Sequence, residues 1–363
     1  MKNKSKPSLL LSDSCEDLEK KFRELKSPRD IAKLLQVPYE YLVYYIYQIS
    51  PDSRYKEFHV PKKSGGFRIV HSPKKSLKII QRKLSQVLYA IYQPRPSIHG
   101  FAASRSIITN AKLHTKKNFI LNLDLKDFFD SINFGRVRGL FLANPYKFDK
   151  SVATVLAQIC CFNRKLPQGA PSSPIVSNLI CTKMDSEFQR FAKQHGILYT
   201  RYADDITFSS NKKELPKELV ASYEKGGGKV VLGNELRAII ENNGFQINSD
   251  KVRLAYKTQR QKVTGLIVNK KVNVTRIYLR NVNATLHNWE TQGLKVVVDK
   301  YTSEYAKKRT FPNKDVAPFL DSLRGKIEFI GSIRGKDDHI YQKFIQRFES
   351  LRHKEEKLND HLD

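Results

Sequence analysis

Short runs of alternating apolar and polar residues divide the chain, and several of them stop at glycine or at acidic residues. Residues 55–71 contain two such runs around Gly65-Gly66 and predict a β-hairpin. Residues 196–208 predict a second hairpin, whose turn carries two adjacent acids. Between these hairpins, the run from Asn118 to Asp124 predicts a strand that ends on an acid. The pattern therefore predicts acidic side chains at strand ends.

Apolar residues at three- and four-residue spacing predict helices in the rest of the chain. The first helices are expected within residues 12–50, where Ser27-Pro28 is a typical helix start. Strands and helices together predict an α+β protein with subdomains around a cleft. Further helices are expected at 77–92, 175–191, 234–243 and from 277 onward, strands at 245–248 and around an Asn269-Lys270 turn, and an irregular loop at 211–229.

The two adjacent acids of the second hairpin are the strongest chemical signal. They lie in the turn Tyr202-Ala203-Asp204-Asp205. Adjacent carboxylates repel each other, and two divalent cations about 3.5–4 Å apart would stabilise such a pair. A solvated Asp-Asp turn would have the same sequence, so a metal site needs a third carboxylate.

That third carboxylate is expected to be Asp124. Metal-dependent nucleotidyl transfer needs oxygen ligands on two strands, and Asp124 ends a strand of its own. The neighbouring Leu125 is included as a metal-binding candidate. Asp127 and Asp130 are alternative ligands, but they follow the strand and are expected to cap or solvate the next helix.

Between the acids lies a segment with three prolines and a glycine, Leu166-Pro167-Gln168-Gly169-Ala170-Pro171-Ser172-Ser173-Pro174. It precedes a predicted helix and forms a stiff loop whose backbone can approach a flat base or sugar. In isolation, the segment could equally be an ordinary proline-rich turn.

Charge indicates the kind of partner. The chain has 65 Lys and Arg against 36 Asp and Glu, a net charge of +29, which favours a phosphate backbone over an acidic protein. A membrane surface would also attract this charge, but no run of about 18 apolar residues exists and a cytoplasmic protein is expected. Four cysteines without Cys-x-x-Cys spacing are expected to be reduced thiols, with no zinc site and no disulfide: Cys15, Cys160, Cys161 and Cys181.

The motifs LDLKDFF, LPQGAPSSP and YADD resemble the successive motifs of a reverse transcriptase palm. The segments NAKLH, at residues 110–114, and VTG, at residues 263–265, resemble the NAxxH and VTG patterns of retron reverse transcriptases. The similarity extends over about residues 55–280. It implies a right-hand polymerase fold, with an N-terminal helical region (1–54), fingers (55–118 with part of 135–170), a palm (119–275) and a helical thumb (276–363).

The resemblance implies that Asp124, Asp204 and Asp205 hold two Mg²⁺ ions, for which Mn²⁺ could substitute. Lys251 would donate a proton to the leaving pyrophosphate, or it is a surface lysine. Phe129 would be a steric gate against the ribose 2′-OH, or a core residue. The residues expected around the incoming nucleotide are Lys63, Arg68, Phe129, Gln168, Gly169 and Tyr202, although the exposed basic hairpin could equally be a solvated edge.

In retron reverse transcriptases the thumb recognises a cognate noncoding RNA, and synthesis starts from the 2′-OH of a guanosine, which gives a branched RNA-DNA product. A separate effector protein in anti-phage defence is implied. Asn110 and His114 could contact RNA or pack a turn. Alternatives are a group II intron-like or abortive-infection reverse transcriptase, or a scaffold that restrains an effector. Expected RNA or primer contacts are Asn110, His114, Val263, Thr264, Gly265, Arg276, Arg280 and Arg324, within a basic, aromatic thumb surface that also has His287, Lys295, Lys300, Tyr301, Tyr305, Lys307, Lys308, Arg309, Phe311 and Arg334.

Overall fold

The computed structural model describes residues 9–62, 65–224, 229–306 and 316–360. The chain divides into two compact units. The first contains Met1–Ser106 and Asn118–Ala255, and the second contains Ile107–Lys117 and Tyr256–Asp363. The segment that carries the NAKLH motif therefore groups with the C-terminal residues. The proposed division into fingers, palm and thumb stays a prediction.

The N-terminal part of the first unit is helical, as predicted. Ser27 caps the second helix: its hydroxyl accepts a hydrogen bond from the Asp30 N–H, and the Asp30 carboxylate accepts one from the Ser27 N–H, a reciprocal capping box. Pro28 occupies the first helical turn. The helices are α1 (Cys15–Arg23), α2 (Pro28–Leu34), α3 (Tyr39–Val43), a π-helical turn (Tyr44–Gln48) and α4 (Pro51–Arg54).

The predicted first hairpin is also confirmed. Strands β1 (Tyr55–Pro61) and β2 (Phe67–Pro73) pair antiparallel and are followed by helix α5 (Lys75–Ile91). Leu77 and Ile80 of this helix are buried in the core of the unit.

The remaining strands of the first unit form the sheet that carries the predicted acids. Its order is β4-β5-β3-β8, and both β3 and β4 run antiparallel to β5. Buried Phe119, Leu121 and Phe208 attach this sheet to the core. The elements are β3 (Phe119–Asp124), α7 (Phe134–Leu142), α8 (Lys150–Cys160), α9 (Ser173–His195), β4 (Leu198–Tyr202), β5 (Asp205–Ser210), β6 (Val220–Tyr223), β7 (Val230–Leu232), α10 (Asn234–Asn242) and β8 (Arg253–Tyr256).

Two local predictions were wrong. The segment expected to be irregular, 211–229, contains β6, which pairs with β7 in a hairpin of its own. The expected strand at 245–248 does not form: Ile247 makes a single bridge to Leu125, and a 3₁₀ turn, Ser249–Lys251, follows. The predicted strand pattern was too short to distinguish a bridge from a strand.

The second unit consists mainly of helices, as predicted from residue 277 onward. Its core contains Trp289, whose ring lies edge-on to those of Phe319 and Phe348. Helices long and apolar enough to cross a bilayer are absent from the described residues of either unit. The elements of the second unit are α6 (Ile107–Leu113), β9 (Lys262–Val263), β10 (Leu266–Ile267), α11 (Arg276–Gln292), α12 (Leu294–Ala306), α13 (Val316–Arg334) and α14 (His339–Asp360).

Candidate active site

The three predicted acids lie at one end of the four-stranded sheet. Pairing of β3 with β5 places Asp124 directly opposite Asp205. The Leu125 N–H donates to the carbonyl of Asp204 at 3.1 Å, which fixes the acid turn to the end of β3. Asp124 is buried, Asp204 is half-buried and Asp205 is exposed. Two acids distant in sequence are thus brought together by strand register.

The electrostatics of this group favour a positive partner. Burial raises the pKa of Asp204, and the charge of Asp124 raises it further. Desolvation by the surrounding protein raises the pKa of Asp205, and the charges of Asp204 and Asp124 raise it further, to about 7, although the residue is exposed to solvent. Three carboxylates whose negative charges repel one another would be stabilised by a cation.

Asp124 is already paired with a cation from its own chain. Lys251 Nζ lies 2.9 and 3.0 Å from the two carboxylate oxygens of Asp124. Asn248 also contacts this acid, since its side-chain N–H donates to Oδ1 at 3.3 Å and its backbone N–H donates to the Asp124 carbonyl at 2.8 Å. Sequence reasoning missed Asn248; its place three residues before the candidate Lys251 was the available signal.

The side chains at this end of the sheet have the donor chemistry of a divalent-cation site. In the described part of the chain, no three His, Cys, Asp or Glu side chains are arranged to hold a metal ion as they stand. The chemistry of the donors nevertheless fits a divalent cation, because hard divalent ions prefer carboxylate oxygens as ligands. The Lys251 ammonium already binds the Asp124 carboxylate, at the position where such a cation would bind. Leu125 lies beside them, with its side chain buried.

A cleft of about 810 Å³ is lined by Asp124, Asp204 and Lys251. Arg68, on the basic hairpin, and Gln168, in the proline-rich loop, both line it. Arg68 lies close enough to Asp204 to lower the pKa of that acid. The Arg68 guanidinium and the Gln168 amide therefore share one cavity with Asp124 and Asp204, as a site for a nucleoside triphosphate would require. Lys63 lies outside the described residues.

The proline-rich loop is attached to the β1–β2 hairpin. The His71 N–H donates to the Gln168 carbonyl at 2.9 Å. Gly169 has φ +111°, and a Cβ added there would lie 2.6 Å from Val70 Cγ1. Only glycine allows this approach, so the loop belongs to the site and is not an independent turn.

Phe129 is half-buried at the cleft, with its ring 5.2 Å from that of Phe128 and 6.3 Å from that of Phe101. The chain turns through residues 126–131 before α7, which begins at Phe134.

The flanking residues occupy different environments. Asp127 and Asp130 are exposed at the cleft and cap no helix, since Asn133 caps α7. Tyr202 is half-buried and is paired across the strand with Asp205.

In the second unit, the VTG motif bonds to the helix that carries most of the NAKLH motif. Thr264 Oγ1 donates to the Ile107 carbonyl at 3.2 Å, at the start of α6, which contains Asn110 and ends just before His114. Asn110 and His114 are both fully buried, which favours the packing alternative over direct RNA contact by their side chains. Val263 is buried, whereas Thr264 is half-buried and Gly265 is exposed.

The basic thumb candidates differ in accessibility. Arg276, Arg280 and Arg324 are exposed. Arg334 is instead largely buried, where it binds Asp338 and Asn273. Lys307, Lys308, Arg309 and Phe311 lie outside the described residues.

The part of the chain that matches known proteins includes the candidate site. A family model for "Reverse transcriptase (RNA-dependent DNA polymerase)" matches residues 60–268. The Retron Ec86 reverse transcriptase of Escherichia coli is 35% identical over 263 residues, 71% of this chain and 77% of that protein. The Retron Mx162 reverse transcriptase of Myxococcus xanthus is 33% identical over 289 residues, 73% of this chain but only 59% of that protein. A telomerase structure from Candida albicans, with a fragment of telomeric RNA, aligns at 11% identity and a TM-score of 0.42 over 82% of this chain and 63% of that one, too distant for a functional argument.

The mixed helix and sheet fold, with acids at one sheet end and a basic hairpin in the same cleft, defines a polymerase of the right-hand class. With the family match and the identity to retron relatives, the chain belongs to the reverse transcriptase family, in its retron group. It is therefore an RNA-directed DNA polymerase, a class that copies an RNA template from deoxynucleoside triphosphates and generally uses divalent metal ions.

Proposed function

We propose that this chain copies a cognate structured noncoding RNA into single-stranded DNA, starting from a 2′-OH of that RNA, so that RNA and DNA are joined at a branch. The observation that carries the catalytic part of the proposal is the register of β3 with β5, which sets Asp124 opposite Asp205 at the edge of a cleft that Asp124 and Asp204 line together with Arg68. The branched product is supported by identity to retron relatives.

Asp124, Asp204 and Asp205 would hold Mg²⁺. When bound, the metal would neutralise charge on the reacting phosphate and lower the pKa of the attacking hydroxyl. The chain's own residues supply the alignment. Arg68 attracts the triphosphate, and Phe129 limits space beside the sugar. Lys251 Nζ, which lies on Asp124, is near enough to the acids to move a proton to the leaving group.

The second unit would bind the RNA through exposed cations. Arg276 and Arg280 lie on α11 and Arg324 on α13, all open to solvent. Structured RNA is recognised largely by shape and phosphate contacts, which distributed basic helices provide. The net charge of +29 supports this role.

We further propose that the chain acts with a separate effector protein in anti-phage defence, as part of a retron. This part rests on the family alone. Pull-down of the tagged chain from its host before and after infection tests it: the expected result is one stoichiometric protein partner that is lost when the RNA is removed, and its absence under both conditions would contradict it.

The catalytic proposal is tested with Asp204→Ala combined with Asp205→Ala. Nucleic acid that copurifies with the wild-type chain is expected to contain DNA joined to one RNA through a 2′,5′ linkage, detected by debranching and sequencing. The double variant should retain the RNA and lose the DNA. Asp149→Ala, at an exposed acid before α8 and away from the cleft, is the matched control and should keep both.

Three outcomes would change the conclusion. Undiminished DNA from the double variant would refute the assignment of the acids. Random host fragments in place of one RNA would refute the cognate template. RNA without any DNA from the wild-type chain would favour a scaffold.

A further inference from the structure

A buried guanidinium lies directly beneath the acid turn. The Arg201 side chain is completely buried on β4, two residues before Ala203. Its Nη1 donates to the Ala203 carbonyl at 3.0 Å. Its Nε and Nη2 donate to the two oxygens of Asp185, on α9, at 2.7 Å each. The guanidinium thus connects the turn that carries Asp204 to a long helix.

The helix side of this contact is also hydrogen-bonded. Tyr199 donates its hydroxyl to Asp185 Oδ1 at 2.7 Å. Asn178 Oδ1 accepts from Arg201 Nη2 at 3.2 Å, while the Asn178 amide donates to the carbonyls of Gly100 and Phe101 at 3.0 and 3.2 Å. The ion pair therefore belongs to a network that cannot shift at one point without breaking bonds at another.

The turn needs such support because its backbone is strained. Ala203 has φ +57°, a left-handed conformation that costs a non-glycine residue about 1–2 kcal/mol. Gly100 packs against the turn so closely that a Cβ there would lie 2.3 Å from the Ala203 nitrogen. The Arg201 contact to the Ala203 carbonyl fixes the turn from below, and the Gly100 backbone fixes it from the side.

Stability alone does not explain an ion pair at this position. Replacing a buried ion pair by apolar residues of similar volume is often neutral or stabilising. Catalysis does explain the ion pair, because a displacement of about 1 Å at the reacting groups can lower a reaction rate by about a hundredfold.

We propose that Arg201, held by Asp185, is a positioning residue that sets the acid turn in the geometry that DNA synthesis requires. It touches neither substrate nor metal and acts through the Ala203 carbonyl on Asp204 and Asp205. This inference rests on the proposed role of those two acids.

The test uses two variants of the full chain. Arg201→Lys keeps the charge but cannot reach Asp185, Asn178 and the Ala203 carbonyl together. Arg201→Met combined with Asp185→Leu removes the pair without leaving a buried charge. Both should lower the single-turnover rate of nucleotide addition by about 10- to 100-fold, should change the dNTP dissociation constant less than threefold, and should raise the Mg²⁺ concentration needed for half-maximal rate.

Hydrogen exchange gives a readout that does not depend on activity. Amides of peptides covering residues 202–206 should exchange faster in both variants. Arg54→Lys is the matched control, because Arg54 is another buried arginine of the first unit that donates to backbone carbonyls, those of Tyr45 and Ile46. It should lower the melting temperature yet leave the rate, the Mg²⁺ dependence and exchange at 202–206 unchanged.

Two results overturn the inference: wild-type rates in both Arg201 variants, or the same loss of rate and local protection in Arg54→Lys. The inference and the function fail separately. If Asp204→Ala with Asp205→Ala leaves DNA synthesis intact, the assignment of the acids is wrong. If those changes abolish synthesis while the Arg201 variants behave as wild type, only the positioning role is wrong.

Discussion

Two tight turns, one in each unit, carry sequence motifs that appear equally distinctive. The β4–β5 turn has a left-handed residue, Ala203, and the β9–β10 turn has two, Thr264 and Gly265. The first presents acids and is fixed from below by a buried guanidinium. The second presents no charge, and its hydroxyl bonds to one backbone carbonyl, that of Ile107. Two turns that both contain left-handed residues thus differ in what supports them, and the turn that carries the acids should tolerate substitution far less.

The largest expected effect comes from a single acid of the first turn. Asp205→Asn should lower the rate of primer extension by at least about a thousandfold, because one neutral amide replaces an oxygen ligand with negative charge. Thr264→Val, at the second turn, is the paired variant and should change the same rate less than threefold. Equal losses from both would abolish the distinction between the turns.

Lys251→Ala tests the cation that faces the acids. We expect the rate of nucleotide addition to fall about a hundredfold, since a positioned proton donor typically contributes on the order of 10²–10⁴. Lys193→Ala, at an exposed lysine on the last turn of α9, should leave this rate unchanged. A wild-type rate for Lys251→Ala would mean that Lys251 is a surface lysine without a role in catalysis.

Gly169→Ala tests the loop beside the cleft. The added Cβ would collide with Val70 and would stand in a left-handed backbone, so the loop and Gln168 must shift. We expect about a tenfold higher KM for dNTPs in steady-state primer extension, with a smaller change in kcat. Gly265→Ala separates backbone strain from steric collision, because Gly265 has φ +83° but no atom lies within 4 Å of an added Cβ. This control variant should leave the KM for dNTPs unchanged. A tenfold higher KM in Gly265→Ala would contradict the explanation by collision.

The pKa of Asp205, raised to about 7 from its ordinary 3.8, predicts a change of stability with pH. Between about pH 4 and 7 the folded state binds more protons than the unfolded state, so the contribution of this acid to stability falls as pH rises through that window. In metal-free buffer at pH 8, Asp205→Asn should therefore melt a few degrees, about 2–4 °C, above wild type. The difference should vanish near pH 4 and shrink when Mg²⁺ is added.

A lower melting temperature for Asp205→Asn at pH 8 would mean that the carboxylates do not repel each other in the folded protein. Asp149→Asn, at an acid outside the cleft, provides the control and should show no such pH-dependent difference.

The smallest effects are expected in the second unit. Arg276→Ala, Arg280→Ala and Arg324→Ala each remove one exposed cation from a distributed surface. Each should weaken RNA binding less than about threefold near physiological salt and reduce the slope of log K against log salt by about 1 at most. Filter binding at several salt concentrations measures both. A loss above a hundredfold from one of them would indicate a concentrated contact and not a distributed one.

The site acids could be predicted from the sequence because strand alternation fixes where a strand ends. Asp124, Asp204 and Asp205 each followed such a run, and the structure places them together. The β6–β7 hairpin could not be predicted, since its strands are short and lie in a polar, lysine-rich segment where alternation is weak.

The sequence also did not predict which polar side chains are buried. Nothing in the spacing of Asp185 and Arg201 distinguishes a buried pair from two surface charges, because the partners come from a helix and a strand that only tertiary packing brings together. Asn110 and His114 likewise appeared polar in sequence, yet both are fully buried. Polarity alone does not predict exposure when hydrogen bonds and packing within a unit can enclose a side chain.

The bond from His71 to Gln168 has a mechanical consequence. The hydrogen bond resists outward movement of the β1–β2 hairpin away from the proline-rich segment, and the close packing of Gly169 against Val70 resists inward movement. Hairpin and segment should therefore move as one body beside the cleft. A spin label on the hairpin would report whether they move together during successive nucleotide additions.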